Sequence, residues 1–206
     1  MKFSLFTSYD NPYKPVADLT MPVLQEYCGK WGHELMIRQN PTYPRGIYWG
    51  RIDDMMAYTG EADWLIHVDA DVLITNLNVS LVMLLRIALS PDPTGASIIV
   101  GSDHNGINDG MLFINNWNRR AAQHVMASSL DCFQTALAED MKTDKYIKSC
   151  VRAPVQRLFN SYAPGEYPEQ DVSGQWQEGD FALHLPGRTN ERRVELITNH
   201  LHLIQR

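Results

Sequence analysis

Asp69 and Asp71 close one of the most apolar runs in the chain, "WLIHVDADVLITN", residues 64–76. Side chains two apart in a strand point to the same side. The spacing therefore predicts two carboxylates side by side, with only the small Ala70 between them. Like charges that close raise each other's pKa unless something positive joins them, so the pair is either one wall of a cation site or a solvated turn. Two more polar segments follow directly on apolar runs: "SDHNGIND" at residues 102–109 and "HLPGR" at 184–188. Three polar loops at strand ends, one with paired carboxylates and one with the imidazole of His184, make a candidate metal site. Carboxylates favour Mg²⁺ or Mn²⁺, and a nitrogen ligand tilts the choice towards Mn²⁺. Three protein ligands leave positions of an octahedral ion open to a diphosphate, whose departing charge the ion would stabilise.

The elements that must position these residues alternate along the chain. Strands are expected at "KFSLFTSY" (2–9), "HELMIRQ" (33–39) and "WLIHVDAD" (64–71), then at "ASIIVGS" (96–102), "GMLFINN" (110–116) and "DFALHLPG" (180–187). Helical spacing marks residues 15–32, with Pro22 as a break and Gly32 as the stop, then 48–60 and 78–89. The breaker "SPDPTG" closes the third of these. Residues 118–141 carry one long helix or two, and 190–206 a terminal helix. "CVRAPVQRLFN" (150–160) reads as an edge strand or an extended segment, because Pro154 cannot donate to a ladder. "DHNGIND" (103–109) reads as a loop, and residues 161–179 as a polar loop long enough to demand a functional reason. The alternation predicts a single α/β domain around a mostly parallel sheet flanked by helices. In such sheets ligands collect beyond the carboxyl ends of the strands, which is where Asp69, Asp71 and His184 fall.

Composition narrows the classes further. The chain has 206 residues, 44% hydrophobic and 20% charged, with a net charge of -6. That balance argues against a large basic surface for nucleic-acid phosphates, and so disfavours a nucleic-acid acceptor. Three cysteines, with no CxxC, suit reduced thiols. The apolar run at the N-terminus is too short for a signal peptide, and no segment approaches the length of a membrane span. The expectation is a soluble, cytoplasmic protein.

Taken in order, the strand with its DxD, "DHNGINDG", "RLFNSY" and "GDFALHLPGR" resemble a GT-A glycosyltransferase. The resemblance is strongest to the galactosyl/xylosyl/mannosyltransferase family (glycosyltransferase family 34), with a weaker echo of family 8. It implies retaining transfer from a nucleotide-diphosphate sugar, a UDP-sugar ahead of a GDP-sugar, with Mn²⁺ or Mg²⁺ as cofactor. It places Asp69, Asp71 and His184 as metal ligands, with Ala70 inside the DxD. Asn108 and Gly110 match the NxG turn facing the donor sugar, with Asp103 among the contacts that choose it. Thr7 and Tyr9 match the strand end under base and ribose, Arg51 a basic residue near the diphosphate, and Gly187 and Arg188 the segment that closes over it. The family's acidic-Gln pair maps onto "DCFQTALAED", where Gln134 fits but Phe133 replaces its acidic predecessor. The carboxylate partner is left between Asp131, Asp109 and the triplet Glu169–Asp171. The family's Golgi members carry a membrane anchor; its absence implies a bacterial or viral enzyme, with a glycan, a lipid-linked or another hydroxyl acceptor. The catalytic domain is expected over 1–190, with 191–206 docked on it or at a homodimer seam.

Each assignment has a plainer rival. Arg51 also stands one turn from Asp54, a common surface pair. Asn108 and Gly110 also suit a tight turn, and His184 a buried core histidine. Trp49, Trp64 and Trp117 are expected in the core, whereas Trp176, inside the long loop, is a candidate acceptor contact. Val194, Ile197, Leu201 and Ile204 form one stripe of the last helix, suited to docking on the core. At the level of function, the rivals are a sugar-nucleotide binder without turnover and a DxD phosphohydrolase. The phosphohydrolase motif belongs on the first strand before Gly-Thr, whereas here it lies on the third and reads "DADVLIT".

Overall fold

The computed structural model describes residues 1–90, 95–168 and 172–206. In chain order the elements are β1 (Phe3–Tyr9), α1 (Lys14–Trp31), β2 (Glu34–Gln39), α2 (Ile47–Met56), β3 (Trp64–Val68), β4 (Val72–Ile74) and α3 (Leu81–Leu89). There follow β5 (Ile98–Asp103), β6 (Gly106–Asn115), α4 (Arg120–Met126), α5 (Phe133–Thr143), α6 (Lys145–Cys150), β7 (Val151–Arg152), β8 (Ser161–Tyr162), β9 (Ala182–His184) and α7 (Asn190–His200). Pro22 does not break α1. Its missing amide frees only the carbonyl of Asp18, an exposed residue whose oxygen water can reach. The helix stops at Gly32, whose φ of 67° is a left-handed cap. Residues 91–94 of the predicted breaker lie outside the described residues.

The central sheet has the order β2-β1-β3-β6-β5-β7. Five strands run the same way and β6 runs against them. The reversal comes from a tight hairpin, since Asp103 already pairs with Gly106. "DHNGIND" is therefore no loop: the turn is His104 and Asn105, and Asn108 and Asp109 sit on a strand. Alternation along the strands divides two cores. Leu5, Ile66 and Phe113 face the side covered by α1, α3 and α7, while Phe6, Leu65 and Leu112 face α2, α4, α5 and α6. Strands buried on both faces read as continuous apolar runs, which is why these were legible.

A second sheet, β4-β9-β8, lies beside the first. The last predicted strand belongs here and not to the central sheet, and its antiparallel register sets His184 opposite Val72. The described residues of 161–179 are equally unlike a free loop. Tyr162, Ala163, Tyr167 and Trp176 are buried, and Trp176 N bonds back to Tyr162 O at 2.8 Å. Trp117, expected in the core, is 71% exposed and donates its indole N–H to Asp63 Oδ1 at 3.2 Å. Trp49 and Trp64 are buried. Helix α7 stops at His200, short of the expected 206, and packs on α1 with Ile197 buried; Ile204 beyond it is also buried, and Gln205 bridges to Asn76 beyond β4. Among the described residues no helix is long and apolar enough to cross a membrane.

Candidate active site

The paired aspartates converge by a turn. β3 ends at Val68; Asp69 N donates to Gly110 O at 2.8 Å and Val72 N to Asp69 O at 3.0 Å, so Asp69–Asp71 links β3 to β4. The expected same-side strand geometry is corrected here: β3 ends at Val68, and the two aspartates lie in the turn that leads into β4. The β4–β9 pairing then carries His184 to the same place. One ligand atom from each of Asp69, Asp71 and His184 lies within 4.8 Å of the other two.

Gly110 makes room for this. A Cβ there would stand 2.3 Å from His184 Cε1, far inside contact distance. Asn108 Oδ1 accepts the Gly110 N–H at 2.9 Å and fixes the approach. The NxG pair thus works as steric clearance on a strand, and neither residue has the positive φ of a tight turn. His184 is buried, and its Nδ1 has no hydrogen-bond partner among the described residues. Two carboxylates and an imidazole with an unspent nitrogen are a donor set that fits Mn²⁺ or Mg²⁺.

Two arginines meet the carboxylates. Arg51 Nη1 lies 2.8 Å from Asp69 Oδ1, and its Nη2 bonds Asp109 Oδ2. His67 Nε2 lies 2.9 Å from Asp69 Oδ1. Burial alone would raise the Asp69 pKa, but Arg51 and then His67 hold it below the carboxylate range. Burial works against the Arg51 charge too, and Asp109 with Asp69 outweighs it and lifts its pKa. The alternative pairing with Asp54 does not form, because Arg51 faces inward; Asp54 is held by Arg38 at 2.9 Å and by the Tyr43 hydroxyl. On the second carboxylate, Arg193 Nε lies 2.9 Å from Asp71 Oδ2, and the Tyr13 hydroxyl donates to the same oxygen at 3.3 Å. Burial, and then the Asp71 charge, raise the Tyr13 pKa and keep the phenol protonated.

These groups line a cavity of about 410 Å³. Of the residues expected from sequence, Tyr9, Arg51, Asp69, Ala70, Asp71, Asn108, Asp109, Gln134, His184 and Gly187 are on its wall. Gln134 Oε1 accepts the Asp109 N–H at 3.3 Å, which ties α5 to β6. Phe133, in place of the family's acidic residue, is buried edge-on against Trp49. Others stand apart from the wall. Thr7 is buried in β1, with no partner for its hydroxyl among the described residues. Asp103 accepts from Tyr162 OH at 2.6 Å and Asn108 Nδ2 at 3.1 Å, a support behind the wall. Arg188 lies over the Tyr167 ring at 4.0 Å, and Asp131 lines a separate shallow groove with Arg45 and Trp49. Trp176 is no cavity residue: its indole donates to Thr75 Oγ1 at 2.9 Å and its ring meets His200 edge-on. The triplet Glu169–Asp171 lies outside the described residues.

Sequence reasoning missed Arg193, His67, Tyr13 and Tyr48, all on the cavity wall. For Arg193 a signal existed: it precedes Leu196 and Ile197 by three and four residues, on the buried face of α7. An arginine inside an apolar stripe needs a buried acidic partner.

No protein-family model and no curated protein matches the sequence. The architecture and the DxD turn at the carboxyl end of the interior strand β3 define a GT-A fold, and solved structures share it. Over 97% of this chain and 100% of its own, a glycosyltransferase involved in the glycosylation of the major capsid of PBCV-1 is similar, with a TM-score of 0.72 and 15% identity. The galactosyltransferase LgtC, solved in complex with donor and acceptor sugar analogs, is similar over 95% of both chains (TM-score 0.50, 14% identity). So is 4-diphosphocytidyl-2C-methyl-D-erythritol synthase from Anaerococcus prevotii, over 98% of both (TM-score 0.50, 7% identity). At these identities the likeness defines the fold, and the chemistry must be argued from the site.

Proposed function

We propose that the chain is a metal-dependent glycosyltransferase that moves a sugar from a nucleotide-diphosphate sugar to an acceptor hydroxyl with retention of configuration. The observation that carries this is the convergence of Asp69, Asp71 and His184 on the wall of one cavity, with Gly110 clearing the space for the imidazole. Asp69, Asp71 and His184 would hold Mn²⁺ or Mg²⁺, which when bound supplies Lewis acidity to the leaving diphosphate. Arg51 and Arg193 add positive charge beside it, and the protonated Tyr13 hydroxyl adds a donor. Gln134, anchored to β6 through its Oε1, is left with its amide N–H₂ for the sugar. Asp109 is salt-bridged to Arg51, which makes it a weak nucleophile. That pairing favours front-face attack, in which the leaving phosphate takes the acceptor's proton and the sugar passes through an oxocarbenium-like state. A UDP-sugar is the preferred donor in this reading, and a glycan or lipid-linked hydroxyl the acceptor.

Thermal stabilisation by a panel of nucleotide diphosphates and sugar nucleotides, each with Mn²⁺ and with chelator, tests it. One nucleotide should give a metal-dependent shift that is lost in His184→Ala and in Asp71→Ala. No shift with any nucleotide would withdraw the glycosyltransferase reading. A sugar-nucleotide binder without turnover is the second reading, favoured by the burial of Phe133 where the family has an acidic residue. Slow donor hydrolysis without acceptor selects the enzyme, and its absence alongside tight binding selects the binder.

A further inference from the structure

Asp71 is held by a cation that the last helix supplies. Arg193 Nε lies 2.9 Å from Asp71 Oδ2 and 3.0 Å from Leu185 O, Nη1 lies 3.0 Å from Asn190 Oδ1, and the guanidinium stands 4.8 Å over the Tyr13 ring. The two side chains of this ion pair are only 9% and 6% exposed. Arg51 bridges Asp69 and Asp109 beside it. Three carboxylates thus face two guanidiniums, which leaves one negative charge where a divalent cation brings two positive.

Arg193 and Tyr13 take Oδ2 of Asp71, and Oδ1 faces His184 Nε2 at 3.4 Å. A cation that binds through Oδ1 meets a carboxylate whose charge Arg193 already neutralises, and drawing that charge away weakens the counter-ion of a buried arginine, a costly change. A diphosphate brings negative charge to the same cavity, and a guanidinium fork suits phosphate oxygens. We infer that Arg193 is a resident counter-ion of Asp71 that makes metal binding conditional on the diphosphate. It occupies the carboxylate before ligands arrive and takes the diphosphate as its partner when they do. The inference rests on the metal and nucleotide reading above. Arg193 is a positioning residue in this scheme, because it acts on the metal through Asp71. By linkage, cation and diphosphate raise each other's affinity by the same factor.

Mn²⁺ binding, followed by the electron-paramagnetic-resonance signal of the free ion, tests this without any turnover. The proteins are wild type, Arg193→Met, Arg193→Gln and Arg193→Lys, each alone and with UDP or GDP. Wild type should bind Mn²⁺ weakly alone and at least about tenfold more tightly with its preferred nucleotide. The neutral variants should bind Mn²⁺ alone about tenfold more tightly than wild type and lose most of the nucleotide coupling, while Arg193→Lys stays near wild type. Circular dichroism checks folding, and Arg193→Gln, which keeps a donor for Leu185 O, serves if Arg193→Met does not fold. Tight Mn²⁺ binding by wild type alone, or affinities unchanged in the folded neutral variants, overturns the inference and leaves the proposed function standing. No Mn²⁺ binding by wild type in either condition removes both.

Discussion

Gly110 shows how much one missing atom decides. Asn-x-Gly reads in sequence as a turn, yet both residues lie in β6, and the glycine's role is to let the His184 ring pass where a Cβ would stand 2.3 Å from it. Gly110→Ala should push the ring away from Asp69 and Asp71. Denaturant unfolding should show a loss of about 1–3 kcal/mol from overpacking, and the metal-dependent stabilisation by nucleotide should disappear. A folded Gly110→Ala protein that keeps the full metal-dependent shift would show that the imidazole is not a ligand. Arg51 teaches the same at longer reach. Its neighbour in sequence is Asp54, but a residue on the inward face of a packed helix pairs with whatever acid the sheet presents, here Asp69 and Asp109.

Among the elements, the small sheet β4-β9-β8 does the assembling. It pairs a strand leaving the DxD turn with one that lies over a hundred residues later, and so delivers His184. The segment between β8 and β9 supports it from behind: the Trp176 indole bonds Thr75 just past β4 and its ring rests on His200 of α7. Trp176→Phe should therefore cost about 1 kcal/mol for the lost hydrogen bond, read by urea unfolding. Under saturating donor the acceptor KM should stay unchanged, since the tryptophan is not on the cavity wall. A raised acceptor KM with unchanged stability would restore the sugar-platform role that the sequence suggested.

For the molecule as a whole, stability should depend on pH through a residue far from the cavity wall. His33 follows α1, with its ring 5.1 Å from Phe3 and 5.9 Å from Tyr27. Burial lowers its pKa to about 4, and its Nε2 has no partner among the described residues. In the unfolded chain a histidine titrates near about 6.5. The folded form thus stays neutral where the unfolded form gains a proton. The stability due to this group is complete above about pH 6.5 and falls as pH drops towards 4. Urea unfolding of wild type and His33→Phe across that window should show a shallower slope in the variant. Equal slopes would mean the imidazole is not the group titrating.

What the sequence determined by itself is most of the elements, though not β4, α6 or β8, together with a sheet flanked by helices. Both follow from apolar periodicity, a local property that each segment carries wherever it packs. Asp69, Asp71 and His184 were legible as a candidate metal set because carboxylates and an imidazole at the ends of apolar runs are chemically conspicuous. The tertiary structure alone decided that β6 reverses, that β9 joins a separate sheet, and that α7 sends Arg193 into the site. Arg193 and Asp71 are 122 residues apart. Their pairing depends on which charges come to share one poorly solvated space, where an unpaired ion is too costly to keep. That is a property of the packed interior and of no single segment.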